Sequence, residues 1–413
     1  MAFDLSNAAN ILKTRYLGPI REQLNNATVL LNRIQRDTES VSGKSFTVPL
    51  HTGRNNASGI GRADGGVLPT AGQQDYHVAV IPNAYNYGRI QITGPTIRAA
   101  RDNAGAFVRA VESEISGLTR DFKRSINRQL LGDGTGALAY IAASYDTNSA
   151  SQTVDDNQGN AFVHLPTGAI TVDIHDASTL ATKNGNSVSA TLGAKSTTTY
   201  ACTVGTTTTS CSDGDIICLE DTMGYEMLGI DGIIATTDTY VTTAAAYDDL
   251  HGIDASTHPF WQSQVFTNSG TQRDLTLALM QDPLTAISVN SDYSEDDVKF
   301  LLSNYFMRDQ YYQLLVQEKR FVNQLSLDGG WTGLAFSGRP LICDPQCKRN
   351  SIFYLVPDAL RIYMTSDFDW MDKDGAQLSR VSGYDAYEAI MFYYANLGTT
   401  ARNALGELGD IND

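Results

Sequence analysis

Histidine is the side chain best suited to proton transfer near neutral pH. The chain has six, at 51, 77, 164, 175, 251 and 258, and none after residue 258 of 413. A Ser–His–Asp triad needs an imidazole held beside the nucleophile by the fold. Neither G-x-S-x-G nor H-E-x-x-H occurs, so the usual signatures of a hydrolase elbow and a zinc protease are absent. The 46 acidic residues include no pair that spacing singles out, and they read as acidic surface. Gly132-Asp133-Gly134-Thr135-Gly136 lacks the Gly-Lys-Ser/Thr of a phosphate loop and reads as a helix exit. Asp372-Lys373-Asp374-Gly375 begins like a calcium loop, but its glycine comes too early and no glutamate stands at position twelve. Five cysteines lie at 202, 211, 218, 343 and 347. Cys343 and Cys347 have the spacing of half a zinc site with no histidine nearby, so they read as thiols. No catalytic residue, cofactor or metal is expected.

The elements around these residues are more telling. Residues 1–36 place Ile11, Leu12, Tyr16, Ile20 and Leu24, then Leu30, Leu31 and Ile34, among polar neighbours, with a break at Gly18-Pro19. So thinly apolar a segment cannot form its own core and reads as a docking arm. In 43–93 the period becomes two. Phe46, Val48 and Leu50 alternate with polar residues, as do Tyr76, Val78 and Val80, and Tyr85, Tyr87, Ile90 and Ile92 follow. The glycine-rich stretch 51–74 separates the first two runs, which predicts an extended hairpin. A two-stranded ribbon is marginal alone in water, so it should rest on a neighbour. From Pro95 to Leu131, apolar residues recur at threes, fours and heptads from Ile97 to Leu130. That predicts a helix of about 37 residues and about 55 Å. Arg98, Arg101, Arg109, Arg120, Lys123, Arg124 and Arg128 decorate its other face, and Gly132 is placed to cap it.

Residues 141–260 are rich in Thr, Ser and Gly and contain only Lys183 and Lys195 as basic residues. Short β runs there suggest a small barrel or sandwich, inserted and acidic. From 271 onward, helix and strand patterns alternate, with strands expected at 298–302, 341–342 and 352–356 and helices near 275–280 and 305–319. The fold class expected is α+β.

Charge is uneven. Residues 1–131 carry 16 Lys+Arg and 10 Asp+Glu, a net of +6; the remainder carries 14 and 36, a net of −22, summing to −16. An acidic whole argues against sequence-specific DNA recognition, while the basic first third can face a polyanion. No run of 18 apolar residues occurs and the start lacks a signal-peptide pattern, so no membrane is expected.

The order of arm, extended hairpin, long helix and α+β domain resembles the major capsid proteins of tailed bacteriophages, whose fold is shared with encapsulins and the herpesvirus capsid floor. The stretches that carry the resemblance are Tyr16-x-Gly18-Pro19-Ile20, Gly43-Lys44-x-Phe46-x-Val48-Pro49-Leu50, Asp64-Gly65-Gly66-x-Leu68-Pro69 and Tyr87-Gly88-Arg89-Ile90. Leu130-Leu131-Gly132-Asp133-Gly134, Asp369-Trp370-Met371-Asp372-x-Asp374-Gly375 and Asp385-Ala386-Tyr387-Glu388-Ala389 complete the set.

The resemblance implies an organisation: arm 1–42, extended hairpin 43–94, spine helix and start of the peripheral domain 95–140, β-rich insertion 141–260, axial domain with peripheral elements 261–397, and a C-terminal return to the peripheral domain at 398–413. It implies an icosahedral shell of pentamers and hexamers enclosing double-stranded DNA in a virion, assembled in a host cytoplasm. Partners would be a portal protein, a decoration protein and non-specific DNA. The arm begins close to Met1, so a separate scaffolding protein is expected. Tyr16, Ile20, Phe46, Val48, Leu50, Tyr76 and Tyr87 would find their burial on neighbouring copies. The seven basic residues above would face DNA, and Gly59, Gly61, Gly65, Gly66, Gly132 and Gly134 would be hinges. Some family members link neighbours by a Lys–Asn isopeptide bond. Residues 51–74 hold Arg54 and Arg62 but no Lys, so non-covalent assembly is expected. An encapsulin-type compartment shell is the alternative.

Overall fold

A computed structural model describes residues 29–38, 41–42, 45–95, 104–141, 152–155, 170–177, 179–183, 188–190, 203–204, 210–235, 247–317, 324–327, 331–372 and 379–412. Tyr16, Ile20, Arg98 and Arg101 lie outside the described residues.

Short strands β1 (Gln35–Asp37) and β2 (Val41–Ser42) lead into the hairpin of β3 (Ser45–Gly53) and β4 (Asp75–Pro82), which β5 (Ala84–Thr93) follows. Helix α1 (Ala104–Leu131) comes next. Six short strands follow: β6 (Ala137–Ile141), β7 (Gln152–Asp155), β8 (Ile170–His175), β9 (Val188–Ala190), β10 (Thr203–Val204) and β11 (Ile216–Leu219). Then come α2 (Ile230–Ile234), β12 (Gln264–Phe266), α3 (Leu277–Asn290), β13 (Phe300–Ser303) and α4 (Tyr305–Gln317). Strands β14 (Gln324–Leu327), β15 (Trp331–Phe336), β16 (Arg339–Cys343), β17 (Ile352–Leu355), β18 (Leu360–Trp370), β19 (Ser379–Arg380), β20 (Ala386–Thr399) and β21 (Gly406–Leu408) finish the chain.

Two sheets carry the body. In one, β20 lies between β18 and β5, antiparallel to both, and β1 flanks β18 in parallel. The β5–β20 ladder runs unbroken from Thr93↔Ala386 to Ala84↔Ala395. The other sheet is mixed and runs β12-β21-β17-β13-β16-β15-β14. Its central strands β13 and β17 are buried at every position, as strands covered on both faces must be. Helix α3 turns Met280, Pro283, Leu284 and Ile287 inward, and Thr276 caps its start by accepting from the Leu279 amide.

Helix α1 lies across the inner face of the β5–β20–β18 sheet. Phe122 meets Phe368 edge-on at 5.8 Å, and Phe368 stacks on Tyr393 at 4.2 Å. The approach is close at Gly88, where an added Cβ would press on the side chains of Leu118 and Phe122 at 3.2 Å. The Arg128 to Leu131 end of the helix is buried. At its exit the Gly132 amide donates to the carbonyls of Arg128 and Gln129, in keeping with its expected place at the cap.

The hairpin forms in register from Ser45↔Pro82 to Gly53↔Asp75. Its base does not wait for a neighbour. Phe46 and Ile81 are buried with Tyr363 of the same subunit, and Leu50 and Ala79 join the main core. Gly398 makes the seat possible, since a Cβ there would fall 2.3 Å from Ile81 Cδ1. Phe46 and Leu50, expected to be buried on adjacent copies, are therefore corrected to intrachain core. Val48 is half-buried against the same two clusters.

The extent of one segment differs from expectation. The β-rich segment closes into a barrel, β10-β7-β6-β11-β8-β9, whose strands span 137 to 219 rather than 141–260. Met227, Ile230, Ile233, Leu250, Ile253 and Trp261 belong instead to the main core. The C-terminal residues insert as β21 between β12 and β17 of the mixed sheet. Leu405, Leu408 and Ile411 carry them there, all fully buried.

Phe46→Ala is expected to destabilise the unassembled subunit by about 3 kcal/mol, read from urea denaturation. An unchanged midpoint would return Phe46 to the role of an intersubunit residue.

Candidate assembly surfaces

Beyond β3 and β4 the hairpin leaves the body. Its neck is tied by Asn55, which accepts from the Ala57 amide at 2.8 Å and donates to the Gly72 carbonyl at 3.0 Å. Beyond the neck, Ile60, Val67 and Leu68 are exposed, the last two at 88% and 83%. Gly59 and Gly65 take φ of +73°, a conformation side chains resist. Gly61 and Gly66 accompany them in the same exposed tip. Apolar side chains held at the end of a ribbon, with no body beneath them, are the mark of a contact surface.

A second exposed apolar surface lies on the outer face of the β5–β20 ladder. Tyr87 stands opposite Phe392 and Tyr85 opposite Tyr394. Tyr394 meets Tyr85 edge-on at 5.2 Å, Tyr87 at 5.8 Å and Phe392 at 5.0 Å. A hydrogen bond with Tyr87, then burial, pushes the Tyr394 hydroxyl up to about 12. Arg89 and Glu388 close one end of this face with a 2.7 Å ion pair. Tyr76 is exposed on β4, with Val78 and Val80 exposed at alternate positions along the same strand. Tyr76 and Tyr87 are both exposed on the subunit. The sequence shows each half of the aromatic face, but only the ladder register brings Phe392 and Tyr394 onto Tyr87 and Tyr85.

The basic residues of α1 separate into two groups. Arg120 and Lys123 are exposed and Arg124 is half-buried. Lys123 also rests over the Phe368 ring at 5.8 Å. Arg109 lies on the helix, with its side chain outside the described residues. Arg128 does not face outward. It is buried, pairs with Glu226 and donates to the Ala137 carbonyl. The DNA-facing expectation for Arg128 is corrected: it locks the end of α1 to the strand after it.

The same end of α1 anchors the chain that precedes the hairpin. Asn127 accepts from the Leu31 amide at 3.3 Å and donates to Asp344 and Gln346, each at 2.9 Å. Gly132 and Gly134, expected as hinges, sit in packed backbone. Gly134 backs onto Leu228, and the Gly132 carbonyl accepts from Gly232. Flanking Asp133 and Thr135 are buried, and Asp133 Oδ1 accepts from the Thr135 amide. A turn packed on both sides holds a fixed angle.

No family model matches the chain, and no curated protein matches it. Solved structures do. The subunit of the cyanophage A-1(L) capsid asymmetric unit superposes over 100% of both chains, with a TM-score of 0.61 and 14% identity. The fold is that of a phage capsid subunit. The holo-SrpI encapsulin complex of Synechococcus elongatus matches over 100% of this chain and 96% of its own, with a TM-score of 0.50 and 8% identity. At such identities the likeness is one of fold.

Three of the cysteines in this fold are shielded from ionisation. Burial pushes Cys218 up to about 12 and Cys343 to about 11, and holds Cys347 well above the usual thiol range. The thiolate is the form that attacks or binds metal, so these are packing thiols. No group of three or more His, Cys, Asp and Glu among the described residues could hold a metal ion. A cleft of about 180 Å³ beside the hairpin base, bounded by Leu50, His51, Phe260 and Asp292 among others, is smaller than the ligand pockets of ~300–1,000 Å³. No helix among the described residues is long and apolar enough to cross a membrane.

Asp231 is a buried carboxylate with a raised pKa. Burial raises it to about 6, against the pull of Lys348, which lies 3.4 Å from both Asp231 and Glu407. Unfolded, the group titrates near ~3.9. The folded chain holds the proton more tightly between these values, so stability falls as pH rises through that window. Asp231→Asn is expected to raise the thermal midpoint relative to the parent more at about pH 7.5 than at about pH 4. Equal shifts in thermal unfolding at both pH values would remove Asp231 as the cause.

Proposed function

We propose that this chain is the major capsid protein of a tailed phage, a subunit that assembles into an icosahedral shell of pentamers and hexamers around double-stranded DNA. One observation carries the reading: a hairpin rooted in its own subunit that ends in fully exposed Val67 and Leu68. Such a tip gains burial only on a second molecule. A shell supplies that molecule at every position, and many weak contacts then act together. The Tyr85, Tyr87, Phe392 and Tyr394 face supplies rigid aromatic area of the kind enriched at protein interfaces. The superposition with a cyanophage capsid subunit over the whole of both chains supports the same reading.

In the shell, the exposed cations of α1, Arg120 and Lys123, contact DNA phosphates without reading sequence. In the sequence, Arg98, Arg101, Arg109 and Arg124 belong to the same basic pattern. The role is structural, and binding is non-covalent. Portal, scaffolding and decoration proteins are the partners such a shell uses in a virion. An encapsulin-type compartment is the second reading, favoured by the match to the SrpI shell; it would enclose a cargo protein instead of DNA.

The purified chain is expected to form closed particles by negative-stain microscopy. Val67→Asp with Leu68→Asp is expected to leave a folded subunit that stays unassembled in analytical ultracentrifugation. Particles of normal yield from that variant would remove the tip from assembly. A parent chain that stays monomeric under all conditions would overturn the shell reading itself. Particles from infected or expressing cells that hold protein cargo and no nucleic acid would select the compartment.

A further inference from the structure

Half of the six histidines gather where the hairpin meets the body. His51 lies on β3, His77 on β4, and His258 just before the 3-10 turn Pro259–Trp261. The rings of His77 and His258 meet edge-on, with centroids 4.3 Å apart and planes at 64°. Phe260 lies against both, at 5.8 and 5.5 Å. On the ribbon side, His77 Nδ1 shares a 2.7 Å hydrogen bond with Thr52 Oγ1. His51 is turned to other partners, Gln74 Oε1 at 2.7 Å and the Tyr76 ring at 5.2 Å. The His77–His258 contact therefore joins β4 directly to the body, beyond the apolar seat of Phe46, Ile81 and Tyr363.

Two neutral imidazoles pack edge-to-face as aromatic rings do. Two imidazolium ions at this separation repel, and like charges disfavour one another's charged form. Histidine is the side chain whose charge changes between about pH 5 and about pH 8. We propose that the His77–His258 pair is an acid-released clasp, holding the hairpin against the body while both rings are neutral and letting β4 lift when both are charged. Among the described side chains, the titratable groups on the elements packed around it are His51 and Asp75 of the ribbon, Asp249 and buried His251 of the segment Tyr247–Gly252, Asp254 before the turn, and Asp292 across the adjoining cleft; Asp248 of the same segment lies outside them. Asp254 is engaged by Ser256 and Thr257. Among the described residues no carboxylate forms an ion pair with either ring. Among the described residues the charged pair thus has no paired carboxylate to offset the repulsion. The release would leave the apolar seat in place, so the ribbon changes its tilt and stays rooted. The inference stands whether or not the chain forms a shell, because it concerns a contact within one subunit.

Hydrogen–deuterium exchange of the β4 amides, corrected for intrinsic rate, tests it on the full-length chain. From about pH 7.5 to about pH 5, β4 exchange in the parent is expected to speed up about tenfold as the two like charges repel. His77→Phe with His258→Phe keeps the rings, removes the charge and should show no such change. His51→Gln should respond like the parent. A parent with no acid response, or a double variant that responds as strongly, would overturn the clasp. The latter result would assign the response to His251, which both proteins retain. Should the double variant fail to fold, His258→Gln alone decides: a persisting tenfold response overturns the proposal and its loss upholds it.

Discussion

A ribbon two strands wide has no interior. Each of its faces must be covered by something else or remain wet, and that constraint shapes this subunit. The base solves it inside the chain. Phe46, Leu50, Ala79 and Ile81 are laid on the body over Tyr363 and Gly398, and at Gly398 even a methyl group would push Ile81 out. The far end has no such floor. The hairpin is therefore half core and half surface, and the change comes near Gly53, where the ladder register shifts and the strands end. What the base contributes is direction: it aims an apolar tip from a fixed root.

The root is fixed because the sheet beneath it is clamped. Helix α1 holds the β5–β20–β18 sheet through Phe122, Phe368 and Tyr393. Its buried end is tied by Arg128 to Glu226 and by Asn127 to both Leu31 and the loop at Asp344. Burial raises the Asp344 carboxyl, while bonds from Gln346, Asn127 and Val29 pull against it. Breaking a buried pair such as Arg128–Glu226 by removing one partner strands a charge, so this polar knot acts as a lock. Chain entry, spine and sheet meet there.

Much of this architecture was legible in the sequence. The period-two runs around Phe46 and Val78 gave the hairpin, and the apolar stripe from Ile97 to Leu130 gave the helix, of which 104–131 is described. The misread residues share a cause. Phe46 and Leu50 look identical in sequence whether they are buried at home or on a neighbour, since alternation reports a covered face and not what covers it. Arg128 looks like its surface neighbours because its partner, Glu226, is remote in sequence and reaches it only through the fold. The cross-strand pairing of Tyr87 with Phe392 and the ring contact of His77 with His258 are likewise tertiary, with no local signal.

The barrel enters the chain at β6 and leaves at β11, and these two strands are hydrogen-bonded neighbours, with Tyr140 beside Ile216 and Ala137 beside Cys218. Its two ends therefore depart from the body side by side. A module joined in this way can be lengthened, trimmed or exchanged for another without re-threading any strand of the parent sheets. The body supplies a socket, and what is plugged into it is free to vary at a different pace from the scaffold that bears it.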